Sequence, residues 1–163
     1  MKKKLPILFD CDPGHDDAVA LLLAFSAQEL NVLGVTVTGG NQSLDKTLQN
    51  AKNILEVANV SADVSAGLVK PLLRELEIAP EVHGETGLDG PVMPHSKQET
   101  HELGAVQYLY EKLLESDEPV TIVATGPLTN IGALLIVYPE IKSKIKQIAI
   151  MGGSMIGGNW TAA

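Results

Sequence analysis

Leu5-Pro6-Ile7-Leu8-Phe9-Asp10-Cys11-Asp12-Pro13-Gly14-His15-Asp16-Asp17 is the stretch on which the reading of this chain turns. Leu5 to Phe9 is a short, nearly continuous apolar run, as expected of a strand buried on both faces. It leads directly into four carboxylates within eight residues, Asp10, Asp12, Asp16 and Asp17. Pro13-Gly14 turns the chain, and Asp16 to Phe25, with Val19, Leu22 and Leu23 in register, has the period of a helix. Alternation at the strand end sends Asp10 and Asp12 to one side and Cys11 to the other, into the packed layer. Asp17, in the first helical turn, can return toward Asp12.

Outward from this stretch the pattern repeats. Val32 to Val37 is a β-branched strand, and Ser43 to Ala58 sets Leu44, Leu48, Ala51, Leu55 and Ala58 along one helical face. Val64-Ser65-Ala66 reads as a short third strand. Residues 67–100 carry proline and glycine throughout and read mostly as loop with one brief helix, a length usually reserved for functional or mobile segments. His101 to Leu114 has helical period, Val120 to Ala124 is a strand, Pro127 opens a helix to Tyr138, and Ile145 to Met151 is a last strand.

Strand–helix alternation with apolar strands predicts an α/β fold, a mostly parallel sheet with helices on both faces. Ligands of such sheets sit beyond the carboxyl ends of the strands. The aspartate cluster, Thr38-Gly39-Gly40-Asn41, Thr125-Gly126-Pro127 and Gly152-Gly153-Ser154 each follow a strand, so the site is expected at that edge.

Four neighbouring carboxylates repel one another, and a helix N-terminus favours each anion by only about 0.3–1 kcal/mol. Either some stay protonated or a cation joins them, and oxygen-only ligands favour calcium or magnesium. Helix capping would account for Asp16 and Asp17 but leaves Asp10 and Asp12 unexplained. Phosphatases of the haloacid dehalogenase type also place D-x-D after a first strand. They want Thr or Val two residues beyond the second aspartate, where this chain has Gly14.

The chain has 163 residues, 45% hydrophobic and 20% charged, which is one ordinary globular domain. Its net charge of −8, offset by no basic cluster larger than Lys2-Lys3-Lys4, argues against nucleic-acid partners. Cys11 stands alone, so no intramolecular disulfide can form and a reducing compartment is expected. The N-terminal apolar run is too short for a signal peptide or a membrane span, and the expected location is cytoplasmic.

Asp10 to Asp17 resembles the D-x-D-P-G-x-D-D signature of the inosine-uridine-preferring nucleoside hydrolases. Four later segments agree in order and spacing: Gly40-Asn41-Gln42, His83-Gly84-Glu85-Thr86-Gly87-Leu88-Asp89-Gly90, Ala124 to Asn130, and Met151-Gly152-Gly153 through Gly158-Asn159-Trp160. Within that family the sequence looks closest to the bacterial pyrimidine-specific ribonucleoside hydrolases. The resemblance implies a Rossmann-like nucleoside hydrolase fold and hydrolysis of ribonucleosides to free base and ribose. Uridine and cytidine are the expected substrates, with inosine less favoured. It implies Ca2+ held by Asp12, Asp17 and the backbone carbonyl of Thr125, with Asp12 also the general base for a calcium-bound water. Asp10 would support these ligands through hydrogen bonds. Asp16 and Asn41 would hold ribose hydroxyls, Met151 would lie against the sugar, Asn159 near its 5′ side, and His83 on the loop covering the base.

Simpler readings accompany each of these. Asn41 suits a turn between glycines, Thr125-Gly126-Pro127 suits a helix start, His83 suits a loop hydrogen bond, and Trp160 suits packing. Family members are about twice as long, so residues 1–163 are expected to be the N-terminal part of a single, apparently truncated domain. On that expectation the chain alone binds metal weakly and hydrolyses little, and is at the limit a catalytically silent fragment that binds calcium or ribose. Its exposed sheet edge would favour self-association, and the family implies a dimer or tetramer.

Overall fold

The computed structural model describes residues 3–153 and 155–156. Five strands form one parallel sheet: β1 (Leu5–Cys11), β2 (Leu30–Val37), β3 (Val64–Ala66), β4 (Val120–Ala124) and β5 (Ile145–Ile150), in the order β3-β2-β1-β4-β5. The first three strands step outward in one direction, and β4 then returns to the other side of β1. The order therefore reverses at β1, and a crevice opens between the ends of β1 and β4, where open α/β sheets bind their ligands. The aspartates follow β1 directly, so sequence position alone delivers them to that crevice.

Helices α1 (His15–Ser26) and α2 (Leu44–Val57) cover one face, and α4 (Ala105–Glu115) and α5 (Thr129–Val137) cover the other. Strand alternation divides the core accordingly. Ile7, Phe9 and Cys11 pack with Leu21, Ile54 and Leu55, while Leu8 packs with Leu109, Ile122 and Leu134. Cys11 is fully buried, as its place in the alternation predicted. No described helix is long and apolar enough to cross a membrane.

The long segment 67–100 contains one short helix, α3 (Pro80–His83). Two boundaries differ from the periodicity. Helix α4 begins at Ala105 rather than His101, because residues 101–103 form a bend tied to β3 by hydrogen bonds. His101 N–H donates to Val64 O at 2.9 Å, and Ser65 Oγ donates to Leu103 O at 2.6 Å. Helix α5 starts after Pro127 and stops at Val137; Tyr138 precedes Pro139, which disfavours the helical conformation there, and a 3-10 turn follows over Pro139–Lys144. At the far edge β5 pairs only with β4 among the described residues, leaving Ile150 53% exposed.

Candidate active site at the end of the first strand

Register decides what surrounds the aspartates. Asp10 pairs with Thr36 on one side and Ala124 on the other, so its neighbours come from both flanking strands. Its Oδ1 accepts from the Thr36 hydroxyl and from Asn130 Nδ2 of α5 at 2.9 Å. Its backbone carbonyl accepts the Thr125 N–H at 2.9 Å, which ties the end of β4 to β1. Asn130, itself fully buried, also donates to Val37 O at 3.3 Å and accepts the Leu68 N–H at 2.9 Å. One amide thus joins Asp10 to the loop after β3.

Asp12 lies just past β1 and is 5% exposed. Its Oδ2 accepts the Asn41 N–H at 2.7 Å, and Asn41 Nδ2 donates back to the Asp12 carbonyl at 3.0 Å. Two glycines admit this carboxylate. A Cβ on Gly40 would clash with Asp12 Oδ2, and one on Gly126 would fall 2.8 Å from Oδ1. Glycine at these points therefore provides close approach rather than unusual backbone angles. Asp17, 1% exposed in the first turn of α1, accepts the Asp12 N–H on Oδ2 at 3.1 Å. The return of Asp17 toward Asp12 expected from the turn is present.

Burial and mutual repulsion dominate the electrostatics. Desolvation lifts Asp12 above the usual carboxylate range, and the charge of Asp17 lifts it further. Asp17 is raised as well, first by burial. Burial carries Asp10 to about 6 although Asn130 and Thr36 pull the other way. Among the described residues three buried side-chain atoms make no hydrogen bond of ordinary geometry, Asp10 Oδ2, Asp17 Oδ1 and Thr125 Oγ1, although the Thr125 side chain lies near enough to Asp17 to offset part of its rise. An unpartnered carboxylate oxygen beside a second raised carboxylate is costly without a compensating cation. The donor set is all oxygen and fits a hard divalent ion. Among the described residues no group of three or more His, Cys, Asp or Glu side chains is arranged to hold a metal.

Asp12, Asp16, Asn41, Thr125 and Met151 line one open cavity, together with Gly126, Pro127 and Gly152. Five of the candidate residues named from the sequence are thus brought together. Asp16 is exposed at its rim, and Met151 is 53% exposed. A second cavity of about 250 Å³ shares Asp12, Asn41 and Pro127 and extends toward Arg74 and Leu76. His83 lines neither. It lies over Gly14, where a Cβ would come 2.5 Å from His83 Nδ1 and 2.9 Å from Asn41 Nδ2, and its Nδ1 is 3.3 Å from His15 Nδ1. Asn159 lies outside the described residues. Sequence reasoning gave no role to Thr36, which reads as an ordinary strand residue, or to Asn130, which stood only as the last residue of the matching segment Ala124 to Asn130.

The profile of the family described as "Inosine-uridine preferring nucleoside hydrolase" matches residues 7–163. A pyrimidine-specific ribonucleoside hydrolase of Shewanella sp. (strain MR-7) is 55% identical over 159 residues, which is 97% of this chain and 50% of that protein. Among solved structures, a purine-preferring ribonucleoside hydrolase from Gardnerella vaginalis superposes with a TM-score of 0.90 at 30% identity, over 96% of this chain and 52% of that one. A plant nucleoside hydrolase gives 0.89 at 35% identity, over 99% and 52%. The chain spans about half the length of the curated relatives it matches.

Proposed function

Because the chain belongs to the inosine-uridine preferring nucleoside hydrolase family, we propose that its aspartate loop is the catalytic wall of a site that hydrolyses ribonucleosides to free base and ribose. The observation that carries this reading is buried Asp12, bonded through its N–H to Asp17 and lining a cavity shared with Asp16, Asn41, Thr125 and Met151. Pyrimidine nucleosides, uridine and cytidine, are the favoured substrates, in keeping with the pyrimidine-specific relative at 55% identity. Inosine is the less favoured one.

In the reaction, water oxygen bonds to the ribose anomeric carbon as the bond from that carbon to the base nitrogen breaks. The electron pair of the broken bond leaves with the base, and the sugar passes through an oxocarbenium-like state. Asp12 takes the proton of the attacking water. Its raised proton affinity, caused by burial and by Asp17, suits a base working near neutrality. The Asn41 N–H on Oδ2 holds the carboxylate in one orientation, and the glycines at 40 and 126 let it sit there. Asp16, exposed at the rim, and the Asn41 amide are suited to ribose hydroxyls. Met151 offers an apolar surface to the sugar. Nearby carboxylates stabilise positive charge developing on the ring. Asn159 belongs to the same reading near the 5′ side, and His83 to the loop near the base.

Asp12, Asp17 and the Thr125 carbonyl would hold calcium, supported by the unpartnered Asp17 Oδ1. Bound there, the ion supplies Lewis acidity that lowers the pKa of water. Asp10, bonded to Thr36 and Asn130 and accepting the Thr125 N–H, would keep the ligands in place.

A second reading, a catalytically silent unit that binds calcium or ribose, is favoured by one observation. Only two carboxylates converge among the described residues, against the six to eight oxygens calcium takes. Ribose release from uridine and inosine, assayed with and without calcium, separates the two. Calcium-dependent turnover lost in Asp12→Ala supports the hydrolase. Calcium binding by calorimetry without turnover supports the silent unit.

A further inference from the structure

We propose that Asn50 is a positioning residue, whose side-chain amide sets the distance between the aspartate loop and the loop that carries His83. The proposal rests on the reading of the aspartate loop as the working site. Gln42, just before α2, and Lys46 and Asn50 within it are spaced by four residues and so share one helical face. All three reach the segment 84–86. Gln42 Nε2 donates to Gly84 O at 3.0 Å, Lys46 Nζ donates to Glu85 O at 2.5 Å, and Asn50 Nδ2 donates to Thr86 O at 2.9 Å.

Asn50 alone does something more. The same nitrogen donates to Pro13 O at 3.1 Å, inside the aspartate loop. An amide nitrogen carries two hydrogens in fixed directions, so one planar group spans two backbone carbonyls 73 positions apart in sequence (86 − 13). Gly87 allows the approach. Its φ is +84°, and a Cβ there would come 3.0 Å from Asn50 Nδ2. Pro13 O lies one residue before Gly14, on which His83 rests, and His83 lies three residues before Thr86. Asn50 therefore acts at both ends of the His83–Gly14 contact.

The rest of the His83 loop is held independently. Asp89 accepts the N–H groups of Glu85 at 2.9 Å and Thr86 at 3.0 Å, and Leu88 is 5% exposed within the core beside α1 and α2. Loss of Asn50 should thus shift the loop against the aspartates without dissolving it. Exposed to solvent, the His15–His83 ring contact would part first.

The test is NMR on the full chain with Asn50→Ala, the isosteric Asn50→Asp, and Lys46→Ala as a control that leaves both Asn50 bonds in place. In both Asn50 variants the nuclear Overhauser contact between the His15 and His83 rings should disappear. The protection of the Thr86 and Gly87 amides against exchange should fall at least about tenfold, with the β1 and β4 amides unchanged. Lys46→Ala should keep the ring contact. Persistence of the ring contact in both Asn50 variants would overturn the proposal. A general loss of sheet protection in both would overturn it too, by making Asn50 a structural residue. None of these readouts requires turnover, so they stand apart from the failure or success of the hydrolase reading.

Discussion

The Asp12 N–H donates to Asp17 Oδ2 at 3.1 Å, and this bond brings the carboxylates of residues 12 and 17 into one buried space at the end of β1. The fold accepts their repulsion at that point, while Asp17 Oδ1 and Thr125 Oγ1 stay unpartnered alongside. Stability is given up locally at that point, which is what the proposed cation site requires.

Removing one charge should therefore stabilise the metal-free chain. Asp17→Asn keeps shape and an acceptor for the Asp12 N–H but removes the repulsion. In chelator, its urea midpoint should rise by an amount corresponding to about 1 kcal/mol. A fall in the midpoint would mean that Asp17 is already compensated.

The pH dependence follows from the direction of the shifts. Asp10 is raised from 3.8 to about 6, so the folded state holds a proton that the unfolded state has released in that interval. Its contribution favours folding at low pH and is lost as pH rises through that window, by about 3 kcal/mol for a shift of this size. Asp12 and Asp17, raised for the same reasons, act in the same direction. The melting temperature in chelator should fall between pH 4 and pH 7, and millimolar calcium should flatten that slope. Melting curves at several pH values check both.

The glycines beside Asp12 should be intolerant of even one methyl group. Gly40→Ala would drive a Cβ into Asp12 Oδ2 and displace the carboxylate from Asn41. Calcium affinity should fall on the order of 10–100-fold, the usual cost of disturbing the groups that orient a ligand. Titration calorimetry on the variant measures it.

Asn130→Ala should cost about 2–3 kcal/mol, because the buried Asp10 Oδ1 and Val37 O and the half-buried Leu68 N–H each lose a partner. The loss would appear in equilibrium urea unfolding.

Much of the architecture was legible because parallel strands buried on both faces leave apolar runs that cannot be mistaken, and because their polar exits repeat. The aspartate loop was legible for an electrostatic reason, since no ordinary packing calls for four carboxylates in that order. Thr36 was hidden, since a β-branched residue inside a strand reads as packing until register sets it opposite Asp10. Asn130 and Asn50 were hidden by their helices, where an amide bonded to a distant carbonyl leaves no mark on periodicity. The early start expected for α4 failed because residues 101–103 had partners in β3 that only the tertiary fold supplies.

The most direct test of the account is calcium titration calorimetry of the chain at pH 7 in buffers of different ionisation enthalpy. If Asp12 and Asp17 hold the ion, binding must displace the proton that burial and repulsion keep on the pair. The observed heat should then change with the buffer, and both binding and proton release should vanish in Asp12→Ala and in Asp17→Ala. Calcium binding that is unaltered by either substitution would contradict it.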